Sequence, residues 1–292
     1  MFDIPLVVLL GQITIGLVNG CFYAMLSLGL AIIFGLLNVI NFAHGALYMM
    51  GAFAAYLAAR HLGLNYWTAL IAVPVAIGSF GMLIERLLLR RLTGLDHLYS
   101  LLLTFGLALV LEGIFLDVFG SAGQSYSNPK ALDGLVDVGF MRLPLYRVWV
   151  VGVSLTVCLG IWLLIERTSL GANLRAGTEN ARLVQALGIN VPLMVTLTYG
   201  LGVALAALAG VLAAPIYQVQ PLMGSNLLII AFAVVVIGGL GSTLGAIVTG
   251  LALGVIEGLS KVFYPEISST TVFIIMALIL LVRPAGLFGR EA

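Results

Sequence analysis

Of 292 residues, 62% are hydrophobic and only 9% are charged, with a formal net charge of +1 and a mean hydropathy of +1.17. Soluble domains carry about 25% charged residues, so the composition excludes one and indicates an all-α polytopic protein in a lipid bilayer. The near-neutral charge gives no support for nucleic-acid binding, and with neither linker nor low-complexity tract the chain reads as one membrane domain over residues 1–292.

A membrane-spanning helix needs about 20 predominantly apolar residues. Apolar segments lie at 6–37, 43–60, 66–89, 98–119, 146–166, 191–214, 225–240, 243–263 and 268–283. About nine spans are expected, with eight to ten compatible with the pattern. The uncertainty lies in 6–37, which is long for one simple span and which Asn19-Gly20 can divide. Because Met1-Phe2-Asp3 lacks a positive n-region, the first apolar run is expected to stay in the mature protein.

From Ile4 to Ala59 there is no Asp, Glu, Lys or Arg. Inside that run, Gly35 to Gly51 is a glycine-marked interruption holding Asn38, Asn41, Phe42, His44 and Gly45. Lipid would leave the Asn and His groups unpaired at a cost of several kcal/mol, so they must face protein or a water-filled path. Either they line a path for a polar solute, or they tie broken backbone to neighbouring helices. Cys21 and Cys158 lie in apolar runs, with neither a disulfide framework nor metal-ligand spacing.

Eight of the thirteen basic residues fall in three places: Arg86, Arg90 and Arg91; Arg167, Arg175 and Arg182; and Arg283 and Arg290. Alternating spans put all three on one side, which the positive-inside rule assigns to the cytoplasm together with the C-terminus. The N-terminus is then outside if the first run crosses once and inside if it crosses twice. The polar loop of about residues 120–146 is outside, and a short hairpin is expected within Val136 to Val148. Glu112, Asp117 and Glu257 fall in the outer parts of their helices, where interfacial or helix-packing roles suit them better than solute binding.

The cytoplasmic loop at about 167–190 contains Gly171, Arg175, Thr178, Glu179, Asn180, Arg182, Leu187 and Gly188. Thr178 is expected to cap a helix of about three turns, Glu179 to favour its first turn, and Gly188 to end it before Pro192. Ala176, Leu183 and Leu187 are expected near one face. Such a helix is either a surface connector or a docking element for a soluble partner.

Further on, Gly238-Gly239-Leu240-Gly241-Ser242-Thr243-Leu244-Gly245 is richer in glycine than packing requires and predicts a break or tight reversal. Segments 6–37 and 225–240 both run inward and both end in a glycine-marked break. Paired interruptions of this kind point to a transport site and a loosely duplicated core. Small residues at Gly202, Ala206 and Gly210 suit close helix packing. Neither lysine follows the glycines of a Walker A loop, and no catalytic triad, H-E-x-x-H or carboxylate pair is present. The chain therefore reads as a non-enzyme that binds no cofactor or metal.

Asn41-Phe42-Ala43-His44-Gly45, the loop from Gly171 through Asn180 to Leu187-Gly188-Ile189, and Gly238-Gly239-Leu240-Gly241-Ser242 with Gly245 resemble the permease subunits of bacterial branched-chain amino acid ABC importers. The shorter of that system's two permeases is the nearer in length. The resemblance implies the all-helical fold of importers related to the ribose and vitamin B12 permeases, placed in the bacterial inner membrane. It implies a second homologous permease as partner, two cytoplasmic ATPase subunits that use ATP and Mg, and a periplasmic solute-binding protein. The loop around Glu179 would be the coupling element. Two departures stand out: Ala46 occupies a position that is acidic in many relatives, and Gly188 lies farther beyond Glu179 than the glycine of the Glu-Ala-Ala signature of other importers. The competing class is a carrier or channel working alone on urea, an amide or a similar small solute.

Overall fold

The computed structural model describes residues 5–37, 40–92 and 94–289. In chain order its helices are α1 (Leu6–Leu37), α2 (Ala43–Leu62), α3 (Tyr66–Leu87), α4 (His97–Phe119), α5 (Leu145–Arg167), α6 (Ser169–Glu179), α7 (Ala181–Ala186), α8 (Val191–Ala213), α9 (Met223–Gly238), α10 (Thr243–Phe263) and α11 (Ser268–Val282). The expected outer hairpin is present as β1 (Leu135–Asp137) against β2 (Arg142–Pro144), with Val136 opposite Leu143.

Every apolar segment is helical, but the expected count of about nine spans is not reached on length and hydropathy. Among the described residues seven spans qualify: α1, α3, α4, α5, α8, α10, and α11 together with the turn before it, Pro265–Val282. The two exceptions are α9, which has 16 residues, and α2, which carries His44, Tyr48, Tyr56, Arg60 and His61.

Both exceptions have a geometric reason. The His44 ring sits 3.1 Å from the Leu26 carbonyl, about 16 Å back from the end of α1 at 1.5 Å per residue. A Cβ on Gly45 would stand 2.6 Å from the Gly224 carbonyl in the first turn of α9. Thus α2 and α9 begin side by side about two-thirds of the way along α1. From there α9 runs alongside the last part of α1, to the turn where Gly241 meets Gly35. Most of α2 is buried, and a helix wrapped in protein needs no lipid-matched surface.

The expected division of α1 at Asn19-Gly20 does not occur, and α1 is one helix of 32 residues. Its glycines serve approach instead of breakage. A Cβ on Gly20 would stand 3.0 Å from the Leu251 Cα, and one on Gly250 would stand 2.6 Å from the Ala24 backbone, so α1 and α10 lie backbone to backbone. Without a hydrophobic drive between helices in lipid, such close dispersion contact is a main source of association. Asn19 accepts a hydrogen bond from the Tyr217 hydroxyl at 2.7 Å instead of breaking the helix.

The centre of the bundle is α1 and α8, whose apolar windows are 83% and 72% buried, against 17%, 17% and 11% for α4, α5 and α11. The small residues of α8 let α2 press in. A Cβ on Gly51 would stand 2.6 Å from the Ala207 Cα, and one on Gly202 would stand 2.8 Å from the Gly29 carbonyl of α1. At the N-terminal ends of α3 and α5, Tyr66, Tyr146 and Trp149 form a hydrogen-bonded aromatic group. Such groups mark a membrane interface.

Candidate functional site

The two glycine-marked interruptions meet at one end of the bundle, where α6 joins them. A Cβ on Gly241 would be 3.1 Å from the Gly35 Cα. Beside this contact opens a cleft of about 520 Å³, walled by Gly35, Gly241, Ser242, Glu166 at the end of α5, Gly171 and Arg175 of α6, and Phe288.

Local chemistry explains each wall. After α9, Gly239 and Gly241 take φ of 99° and 81°, which L side chains rarely adopt. Ser242 then caps α10, its hydroxyl accepting from the Gly245 N–H at 3.0 Å. Gly238 and Gly245 face each other closely across this turn, a Cβ on Gly238 standing 2.6 Å from the Gly245 carbonyl carbon.

The α6–α7 region differs from the expected single helix capped by Thr178. Thr178 is inside α6, its hydroxyl donating to the Arg175 carbonyl at 2.7 Å. The break falls at Asn180, whose side chain accepts from the Leu183 N–H at 3.0 Å and so caps α7. Asn competes with the helix for local backbone donors, which sets the break two residues later than expected. Gly188 follows α7 at φ 84°. The expected apolar face is not the buried one: Val184 is buried, whereas Ala176, Leu183 and Leu187 are exposed, and Glu179, Arg182 and Gln185 face outward as expected.

The root of α6 is clamped to α5. Gly171 leaves no room for a Cβ against the Ile165 carbonyl. Arg175 donates to that carbonyl at 3.2 Å and pairs with Glu166 at 3.3 Å. A second cavity, about 490 Å³, separates Gly177 and Gln185 from Glu85 and Arg90 at the α3–α4 corner.

The first interruption is bonded to several neighbouring helices, although Nδ1 of buried His44 has no hydrogen-bond partner; Asn38 lies outside the described residues. Asn41 accepts from the Ala43 N–H at 3.1 Å and donates from Nδ2 to the Tyr199 hydroxyl of α8 at 3.0 Å. The Phe42 N–H donates to the Thr104 hydroxyl of α4 at 3.2 Å, and the Phe42 ring lies 5.0 Å from that of Phe232. His44 is fully buried. These groups hold α1, α4, α8 and α9 to one break, as the bridging alternative for this stretch requires.

Sequence reasoning missed three features. Glu85 is 2% exposed and accepts from the Thr196 hydroxyl at 2.5 Å, with Arg90 at 3.6 Å. Its signal was a carboxylate at the inner end of an apolar run. Tyr199 and Thr104 carry no signal beyond being polar within spans. Residues 283–289 were read only as a tail, yet Phe288 and Gly289 line the cleft. Glu257 accepts from Tyr23 at 2.5 Å and Lys261 at 2.6 Å, and Glu112 pairs with the Ser225 hydroxyl. Both join neighbouring helices.

Comparison with known proteins bears on what this arrangement does. The chain is 32% identical over 96% of both lengths to the high-affinity branched-chain amino acid transport system permease protein BraD of Pseudomonas aeruginosa. It is 30% identical, again over 96% of both, to LivH, the permease protein of the corresponding system of Escherichia coli K12. A more distant likeness, 26% over 65% of this chain and 60% of the relative, is to LsrD, an autoinducer 2 import system permease protein of Salmonella paratyphi B. Among solved structures, PsaBC from Streptococcus pneumoniae in complex with Fab aligns with 92% of this chain and 89% of its own at 13% identity and a TM-score of 0.46. A family model described as branched-chain amino acid transport system / permease component matches residues 12–283, and the chain belongs to that family.

Proposed function

We propose that this chain is the permease subunit of an ATP-driven importer for branched-chain or related amino acids, forming half of the translocation pathway. The observation that carries this reading is the full-length likeness to two permease proteins named for that transport. The proposed architecture is that of the ribose and vitamin B12 permeases, with α2 and α9 completing nine membrane-embedded helices in one domain. The unbroken α1 then puts the N-terminus outside, and the C-terminus is cytoplasmic in the inner membrane. The partners are a second homologous permease, two ATPase subunits that bind ATP and Mg, and a periplasmic solute-binding protein.

Mechanically, α6 and α7 are the coupling element. Exposed Leu170, Leu183 and Leu187 beside exposed Glu179 and Arg182 suit a groove on a soluble partner. ATP binding closes the ATPases and shifts α6. Through Gly171 and Arg175 the shift reaches the end of α5, and across the cleft it reaches Gly35, Gly241 and Ser242. Gly238, Gly239 and Gly245 give the hinge its close approach, and Asn41, Phe42, His44, Gly45 and Gly51 hold its fixed side. The charged residues of the cleft, Glu166 and Arg175, pair with each other. Selectivity therefore resides mainly in the solute-binding protein.

Reconstitution tests the reading directly. Liposomes holding this chain, its permease partner and the ATPases are expected to accumulate leucine, isoleucine or valine only with ATP and the binding protein. Uptake driven by a solute gradient in liposomes lacking ATPases would assign the chain to the carriers or channels instead. Absence of flux in the complete system, with all subunits assembled, would remove transport altogether.

A further inference from the structure

Beyond α11 the backbone doubles back onto the inner end of α9. The Leu287 N–H donates to the Ile237 carbonyl at 2.8 Å, and the Phe288 N–H to the Gly238 carbonyl at 3.1 Å. Ile237 and Gly238 are the last two residues of α9, whose carbonyls have no partner within their own helix. The tail supplies the cap that water or a side chain supplies elsewhere.

The fit is close. Gly239 and Gly286 both have positive φ, 99° and 80°. A Cβ on Gly286 would stand 2.7 Å from the Gly239 Cα and 2.7 Å from the Val236 carbonyl, and one on Gly239 would stand 2.8 Å from the Gly289 Cα. Neither residue tolerates a side chain without separating tail from turn. Just past this lock, Phe288 and Gly289 enter the wall of the cleft beside Leu240 and Gly241, facing Leu174 and Arg175 of α6 across the same space.

We propose that residues 284–289 form a positioning clasp for the inner hinge. Bound to the last carbonyls of α9, the segment makes the α9–α10 turn and the cleft wall one rigid piece. When the cleft narrows, α6 meets Phe288, and its displacement passes to Gly239 and Gly241 instead of being lost in a loose turn. This inference rests on the reading of α6 and α7 as the element that docks on the ATPases.

Two variants test it in the assembled importer: Gly286→Val, which keeps the tail but denies it the lock, and removal of residues 284–292. The readouts are the ratio of hydrolysis with solute-loaded binding protein to basal hydrolysis, and hydrogen exchange in peptides covering 236–245. With ATPases still co-purifying, both variants are expected to lower the ratio about tenfold, the scale of losing one to two hydrogen bonds from a coupled step, and to speed exchange in the turn. A Gly286→Val complex whose ratio and exchange stay within about twofold of the unmodified complex overturns the clasp. If the shortened chain fails to insert, Gly286→Val alone decides. No stimulation in the unmodified complex sinks the docking reading instead, and exchange in the permease alone still tests whether the tail holds the turn.

Discussion

The buried carboxylate of Glu85 allows a sharp test of the packing beside the α6–α7 segment. It is 2% exposed on α3, accepts from the Thr196 hydroxyl at 2.5 Å and lies 3.6 Å from Arg90. Arg90 also donates to the Pro192 carbonyl at 2.8 Å and to Thr196 at 2.9 Å, so it fastens the α3–α4 corner to the start of α8. Arg90→Ala leaves the carboxylate buried without its counter-charge. Breaking a fully buried pair this way costs about 3–5 kcal/mol. Here the Arg90 side chain is 38% exposed, water screens the pair, and the expected cost falls to about 2 kcal/mol. That is a change of roughly 30-fold in the unfolding equilibrium.

Glu85→Gln should cost less, about 1 kcal/mol, because the amide oxygen still accepts from Thr196 and Arg90 turns to solvent. The double variant Glu85→Gln/Arg90→Ala should then be more stable than Arg90→Ala alone, since no buried charge is left unpaired. The assay is reversible unfolding in mixed micelles, titrated with a denaturing detergent and followed by tryptophan fluorescence. Two single costs that simply add in the double variant would refute the argument, because strict additivity means that the two groups do not interact.

Two further outcomes follow from the hinge. His44→Ala removes the bond to the Leu26 carbonyl and should lower stability by about 1–3 kcal/mol while leaving uptake per assembled complex near its original value; a selective loss of uptake at full stability would make His44 a path residue instead. Gly188→Leu, which strains a residue at φ 84°, and charge reversal at exposed Glu179 should each abolish stimulation of ATP hydrolysis in a permease that still inserts, and normal stimulation would count against docking through α6 and α7.

Helix positions were legible because lipid imposes a single rule, a continuous apolar run with its backbone bonds satisfied internally. What each glycine does was not. Gly20 and Gly239 look alike in sequence, yet one is a contact surface inside an unbroken helix and the other begins a turn with φ 99°. The difference lies in the partner, Leu251 for the first and the tail residues Gly286 and Gly289 for the second, and a partner more than 40 residues away leaves no local trace. The same holds for the interruption at residue 41. Its polar groups correctly predicted shelter, but whether shelter meant water or protein depended on Tyr199, Thr104 and Leu26, which belong to three other helices. The cap at Asn180 instead of Thr178 is a local miss: two competent cap residues stood two positions apart, and the one that bonds the Leu183 N–H sets the break.

The start of α2 and α9 about two-thirds of the way along α1 accounts for where the proposed hinge sits. A full-length span resists bending because every carbonyl in it is committed to its own helix, and freeing one in lipid is costly. At the inner end of α9 that commitment is absent: the turn from Gly238 to Ser242 takes its bonds from the tail, from Ser242 itself and from its own backbone. Around Gly35 and Gly241 the backbones touch without side chains between them, so the turn and the end of α1 are in direct contact. The fixed side is built oppositely, with Asn41, Thr104, His44 and Tyr199 bonded across four helices and buried. A rigid anchor about two-thirds of the way along α1 and a clasped turn at its end, joined by the 16 residues of α9, are the parts of the proposed lever. In the proposed mechanism, movement applied at α6 passes through the clasped turn to the end of α1, while the anchored level of the bundle holds its place.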